Sequence, residues 1–172
     1  ICERSVAFEN FLDYILSVNE LRESEHFLGF LQDDEMTKAC RLIDERRNEL
    51  AIPIFENTFQ LLNKVFLDKS RPVLLLLCRL VAACTNSPIP HPTSMKYTEL
   101  ALRRFEHVSD TEILVLYIPL LNAASYLYWQ KGMDASKINE RLEEMGMKGI
   151  KIKNTLTLTQ SLHALEQKSE TF

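Results

Sequence analysis

Residues 113–129 carry no charge, and Ile113, Tyr117, Leu120, Ala124, Leu127 and Tyr128 recur at the three- and four-residue steps that stack on one helix side. Apolar residues on the other faces predict a helix packed on several sides rather than one lying on a surface. Gly132 ends it, and Asp134 or Ser136 suits the cap of a following helix. In that second helix Ile138, Leu142 and Met145 make one stripe, while Lys137, Glu140, Arg141, Glu143 and Glu144 stay wet. A buried helix followed by an amphipathic one is the unit of a stacked αα-hairpin array. The chain is expected to be organised around this hairpin, residues 110–146.

The same patterning recurs upstream. Residues 1–31 predict a helix with Phe8, Phe11, Leu12, Ile15 and Leu16 on its apolar side, then a short second helix started by Ser24. Gln32, Asp33 and Asp34 read as a polar break, with Asp33 or Asp34 as the cap of a helix striped by Met36, Ala39, Cys40 and Ile43. Residues 50–66 form its amphipathic partner, with Pro53 fitting the first turn, where no backbone donor is missed. Arg71 and Pro72 open another apolar helix. The Ser-Pro-Ile-Pro-His-Pro stretch at 87–92 excludes helix, and Thr93 or Ser94 caps the next, with Tyr97, Leu100, Ala101 and Phe105 inward. Hairpins at 34–66, 72–107 and 110–146 give a period of roughly 35–40 residues, in the tetratricopeptide range. A last helix starts near Thr157 or Thr159, with Leu158, Leu162 and Leu165 inward, and closes the stack. The expected fold is all-α: a tetratricopeptide-like stack of three αα-hairpins with a flanking N-terminal helix pair and a C-terminal capping helix.

Composition changes this picture little. Of 172 residues, 46% are hydrophobic and 26% charged, which suits a folded domain rather than a disordered chain. Four glycines and six prolines argue against an all-β fold, and a net charge of −4 argues against nucleic acid as a partner. Cys2, Cys40, Cys78 and Cys84 contain no CxxC pair and read as buried free thiols in a reducing compartment. The apolar runs at 73–84 and 113–129 are too short or too interrupted (Arg79, Pro119, Asn122) to span a bilayer. The chain opens with Ile1 and lacks a signal-like start, which predicts a piece of a longer protein.

No catalytic chemistry emerges. His26, His91, His107 and His163 lie on different elements without a second ligand at metal spacing, and neither a nucleophile elbow nor a glycine-rich phosphate loop is present. No enzyme activity, metal or cofactor is expected. Two surfaces remain. By hairpin position, the concave face of the stack would carry Arg79, Asn122, Tyr126 and Trp129 as a partner groove for protein tails. Arg79 and Asn122 inside apolar helices need partners, because burying them unpaired costs about 1–3 kcal/mol. A bound peptide would serve, and so would the tail helix lying across the same face. Trp129 reads either as core or as an anchor for the partner. Separately, Lys148, Lys151 and Lys153 alternate with Ile150 and Ile152, and Arg46, Arg47, Arg103 and Arg104 add positive charge. That pattern suits either an anionic-membrane patch or a solvated surface with the isoleucines turned inward.

Residues 1–31 resemble the last helices of a PX (phox-homology) domain, through Ile1 and Arg4, Phe11-Leu12, Leu21-Arg22 with Ser24, and Phe30-Leu31. Residues 33–172 resemble the PX-associated B domain of the sorting nexin twenty and twenty-one branch, through Tyr117, Pro119, Leu120, Leu121 and Ala123 before Gly132, then the run 140–144, Leu156 and Leu158. The chain departs from that family at the first hairpin turn, where Arg46 and Asn48 replace the usual glycine and aromatic. The resemblance implies a non-enzymatic, monomeric interaction scaffold, cytoplasmic and peripheral on early endosomes. It would recruit proteins or cargo tails, while the PX domain reads the phosphoinositide membrane. Two other roles fit the same residues: an accessory membrane-surface module using the basic side chains, and a structural brace for the PX domain.

Overall fold

The computed structural model describes residues 2–169, and the thiol of Cys2 lies outside the described side chains. Among the described residues there is helix and no strand. In chain order the helices are α1 (Cys2–Ser17), α2 (Asn19–Arg22), α3 (Glu25–Asp44), α4 (Asn48–Val65), α5 (Arg71–Asn86), α6 (Ser94–Phe105), α7 (Thr111–Leu114), α8 (Tyr117–Gln130), α9 (Ser136–Met147) and α10 (Leu158–Ser169). The pairs α3–α4, α5–α6 and α8–α9 pack as neighbours, and among the described residues no helix is long and apolar enough to cross a membrane.

The centre is α5 rather than α8. It touches α4, α6, α7, α8 and α10, and buries Val73, Leu74, Leu76, Leu77, Leu80 and Val81 among them. Helix α8 buries Leu120, Leu121, Ala124 and Leu127 but leaves one side wet. The expected continuous helix over 113–129 is interrupted at Val115 and Leu116, between α7 and α8. Pro119 explains the interruption. It has no N–H to offer the Val115 carbonyl four residues back, and its ring crowds that carbonyl.

Two further boundaries differ from the sequence reading. The expected break at Gln32, Asp33 and Asp34 does not occur, and α3 runs unbroken from its Ser24 cap, whose Oγ accepts from the Phe27 N–H at 3.3 Å, to Asp44. The 31/33 junction therefore lies inside a helix. Polar side chains that face water do not end a helix, and the Glu35–Lys38 pair one turn apart supports this one (2.6 Å). Pro53 sits inside α4 rather than in its first turn. The carbonyl it leaves without a donor belongs to the exposed Glu49, which water can reach.

Three helices stop by the same device. After α3, the Arg46 N–H donates to the Ile43 carbonyl (2.9 Å) and the Arg47 N–H to the Leu42 carbonyl (2.8 Å). Gly132 with Met133 ends α8 in this way, and Gly149 with Ile150 ends α9. Each closure puts one residue in the left-handed region: Gly132 at φ 67°, Gly149 at φ 83°, and Arg46 at φ 61°. An L-residue pays roughly 1–2 kcal/mol there, so Arg46 is the misfit. Arg46→Gly is expected to stabilise the fold by about 1 kcal/mol, a gain of about 2–4 °C in Tm for a chain of this size. A thermal melt with an unchanged or lower Tm would show that the Arg46 side chain offsets its own strain.

Candidate functional site

The face that the sequence assigned to a partner is largely occupied by the chain's own tail. Helix α10 lies against α5 and α8. It is nucleated locally by a capping box: the Thr157 N–H donates to Gln160 Oε1 (2.9 Å) and the Gln160 N–H to Thr157 Oγ1 (3.2 Å). Leu158 and Leu162 are buried, and Leu165 packs at the edge of the core. Arg79, half-buried in the middle of α5, forms an ion pair with Glu166 of α10. Asn86 Nδ2 donates to Thr159 Oγ1 (2.9 Å), and Asn122 Nδ2 to Thr155 Oγ1 (3.3 Å). Both have an intramolecular partner, but only Arg79 is partly buried and meets the tail helix itself; Asn122 is exposed and bonds to Thr155, ahead of α10.

The seat is not filled completely. A cavity of about 190 Å³ remains between Phe55, Ala82, Ala83, Leu162 and Asn48. Asn48 is buried, and its Oδ1 has no hydrogen-bond partner among the described residues. Sequence reasoning met Asn48 only as a departure from a turn pattern, and nothing in its neighbours signals the burial.

Tyr126 and Trp129 stand apart from this seat. They are 43% and 73% exposed, with ring centroids 5.9 Å apart at 35°. They border an open hollow of about 550 Å³ with Asn122, Ser125, Met133 and Asn139, where Ser125 Oγ donates to Asn139 Oδ1 (3.0 Å). Trp129 is therefore not core. The four predicted groove residues split into an occupied pair, Arg79 and Asn122, and an open pair, Tyr126 and Trp129.

Lys148, Lys151 and Lys153 are all exposed, on the segment joining α9 to α10. Ile152 turns inward as expected and packs against the core, whereas Ile150 is exposed. Arg104 does not add to the surface charge. It is buried, with its guanidinium 5.4 Å from the Phe59 ring centre, 3.3 Å from the Asp68 carbonyl and 3.6 Å from the Asp68 carboxylate. The thiols also divide: Cys78 and Cys84 are buried, while Cys40 is at the surface. Burial pushes Cys84 up to about 12 and raises Cys78 as well, so both stay protonated at neutral pH. No group of three or more metal-ligating side chains is assembled among the described residues.

Comparison with protein-family models, curated proteins and solved structures gives no match.

The Arg79–Glu166 pair is half-exposed and partly screened. In a double-mutant cycle with Arg79→Ala and Glu166→Ala, the expected coupling is about 0.5–1 kcal/mol by urea unfolding, shrinking at high salt. A coupling near zero at low salt would mean that the two leucines alone hold α10 in place.

Proposed function

We propose that this chain is a non-enzymatic protein-interaction scaffold that receives a segment of a partner along the open side of α8. The observation that carries the reading is the exposed Tyr126–Trp129 pair beside a wide hollow. Neither ring belongs to the core, and the Trp129 indole stands mostly in water, whereas such rings dominate the energetics of interfaces, where each presents a large rigid face with a polar tip. Ser125 and Asn139 add hydroxyl and amide groups at the same hollow, suited to a peptide backbone. Leu120, Ala124 and Leu127, buried on the opposite side, hold α8 still. Partner residues would therefore meet a preformed surface, which lowers the ordering cost of binding.

The residues shared with the PX-associated B domain support the cellular context of this proposal. In it the chain is a helical, tetratricopeptide-like module of a sorting nexin, cytoplasmic and monomeric, that brings partner proteins or cargo tails to early endosomes, where a PX domain binds phosphoinositide. The departure at Arg46 is one of side chain only, since that residue adopts the left-handed turn that a glycine would take.

The test is affinity capture with the whole chain, comparing wild type with Tyr126→Ser/Trp129→Ser. Thermal stability is expected to stay within about 0.5 kcal/mol for each substitution, because both side chains are exposed. Recovery of specific partners is expected to fall at least about 30-fold, the loss of a hot-spot aromatic. A folded double variant that retains every partner would exclude this side of α8 as the binding surface.

A further inference from the structure

We propose that the segment 147–156, between α9 and α10, docks on the surface of an anionic lipid bilayer, a role separate from the α8 surface and independent of it. The segment reads Met-Lys-Gly-Ile-Lys-Ile-Lys-Asn-Thr-Leu. Its three lysines are exposed, and among the described residues none pairs with a carboxylate. No acidic residue occurs between Glu144 and Glu166. Those two flanking carboxylates are engaged elsewhere, Glu144 by Arg141 at 2.8 Å and Glu166 by Arg79. In a chain of net charge −4, this segment is a local island of uncompensated positive charge.

Charge alone would suit any polyanion, and the apolar side chains between the lysines decide among them. Met147 is 86% exposed, Leu156 54% and Ile150 44%. A nucleic-acid backbone gives such side chains nothing to bury against. The headgroup–acyl boundary of a bilayer takes up apolar side chains while its anionic lipids meet the lysines.

The segment is also held in shape before it meets a surface. Its start is fixed by the closure of α9, with Gly149 at φ 83° and the Ile150 N–H donating to the Met145 carbonyl (3.1 Å). Its end is fixed by the capping box of α10. Between them Ile152 packs against Gly146, where an added Cβ would lie 3.0 Å from Ile152 Cδ1. One apolar side chain thus seats the loop on the protein, and three others face outward beside the lysines.

The experiment is co-sedimentation of the whole chain with phosphatidylcholine vesicles and with vesicles containing 30% phosphatidylserine (composition ~70:30), at low and high salt. Binding is expected only to the anionic vesicles, and it is expected to be lost at high salt. Lys148→Gln/Lys151→Gln/Lys153→Gln should weaken partitioning about 100-fold, since each lysine near an anionic surface adds roughly fivefold. Met147→Ser/Ile150→Ser/Leu156→Ser should also weaken it, by about 10-fold or more, while the salt dependence persists. All six side chains are exposed, so circular dichroism melts of both variants are expected to show each folded. Absence of binding to anionic vesicles at low salt would overturn the proposal, as would undiminished binding by the lysine variant. Loss with the lysine variant but none with the apolar variant, together with equal competition by duplex DNA, would overturn it in favour of a general polyanion site.

Discussion

Helix α5 has to be enclosed on every side, and the remaining architecture follows from that requirement. Ten of its sixteen residues are buried, and an apolar helix of that kind is stable only when neighbours remove its surface from water. Helices α4, α6 and α8 cover most of it. What they leave open contains Arg79, the one charge in the middle of the helix. A guanidinium in that position needs an acceptor, because an unpaired charge in a partly dry setting is costly. Helix α10 brings both things the position lacks: Leu158 and Leu162 to cover apolar surface, and Glu166 to meet the charge. Its local capping box satisfies two end donors of the helix and so lowers the cost of forming it on the seat.

This solution fixes what the face beneath α10 can do. A helix tethered to its own seat competes with any external ligand at a high effective concentration, of the order of millimolar for a short flexible link. A free peptide would have to overcome that advantage before reaching Arg79. Among the described residues the outer side of α8 carries no such competitor, which is why the proposed interaction surface is the one at Tyr126 and Trp129. The residual cavity and the unpartnered Asn48 Oδ1 show that α10 fits its seat incompletely.

The readable parts of the sequence were those governed by local chemistry. Ser24, Arg71-Pro72, the proline-rich 87–92 loop, Gly132 and the Thr157 start each act within one turn of the chain, and each marks a boundary where the structure has one. The misreadings arose where tertiary context prevails over local signals. Gln32, Asp33 and Asp34 look like a break but lie on a helix whose side chains there reach solvent. Pro53 is tolerated inside α4, whereas Pro119 splits 111–130 by acting four residues upstream of itself. Hydropathy made 113–129 the evident centre, yet centrality depends on how many neighbours a helix meets, and α5 meets more. Arg104 illustrates the same limit. Nothing in the sequence separates it from Arg103, but one is exposed and the other is clamped between Phe59 and Asp68.

Exposed apolar side chains therefore mean different things in different helices. Helix α8 is held by Leu120, Leu121, Ala124 and Leu127 on its buried side, so its position does not depend on Trp129. An aromatic that the fold does not need is free to serve an interface. Helix α1 lacks that independence. Phe8, Phe11 and Tyr14 are all more than half exposed, its main neighbour is the short α2, and it borders an apolar hollow with Phe27 and Phe30 of α3. An isolated helix of this length is marginal in water, because helices in proteins draw most of their stability from a packed apolar face. At α1 the uncovered phenylalanines sit on a helix with little packed behind it, whereas at α8 the uncovered tryptophan sits on a helix already secured from behind. That contrast, rather than exposure alone, is what makes the α8 side the better candidate for a partner.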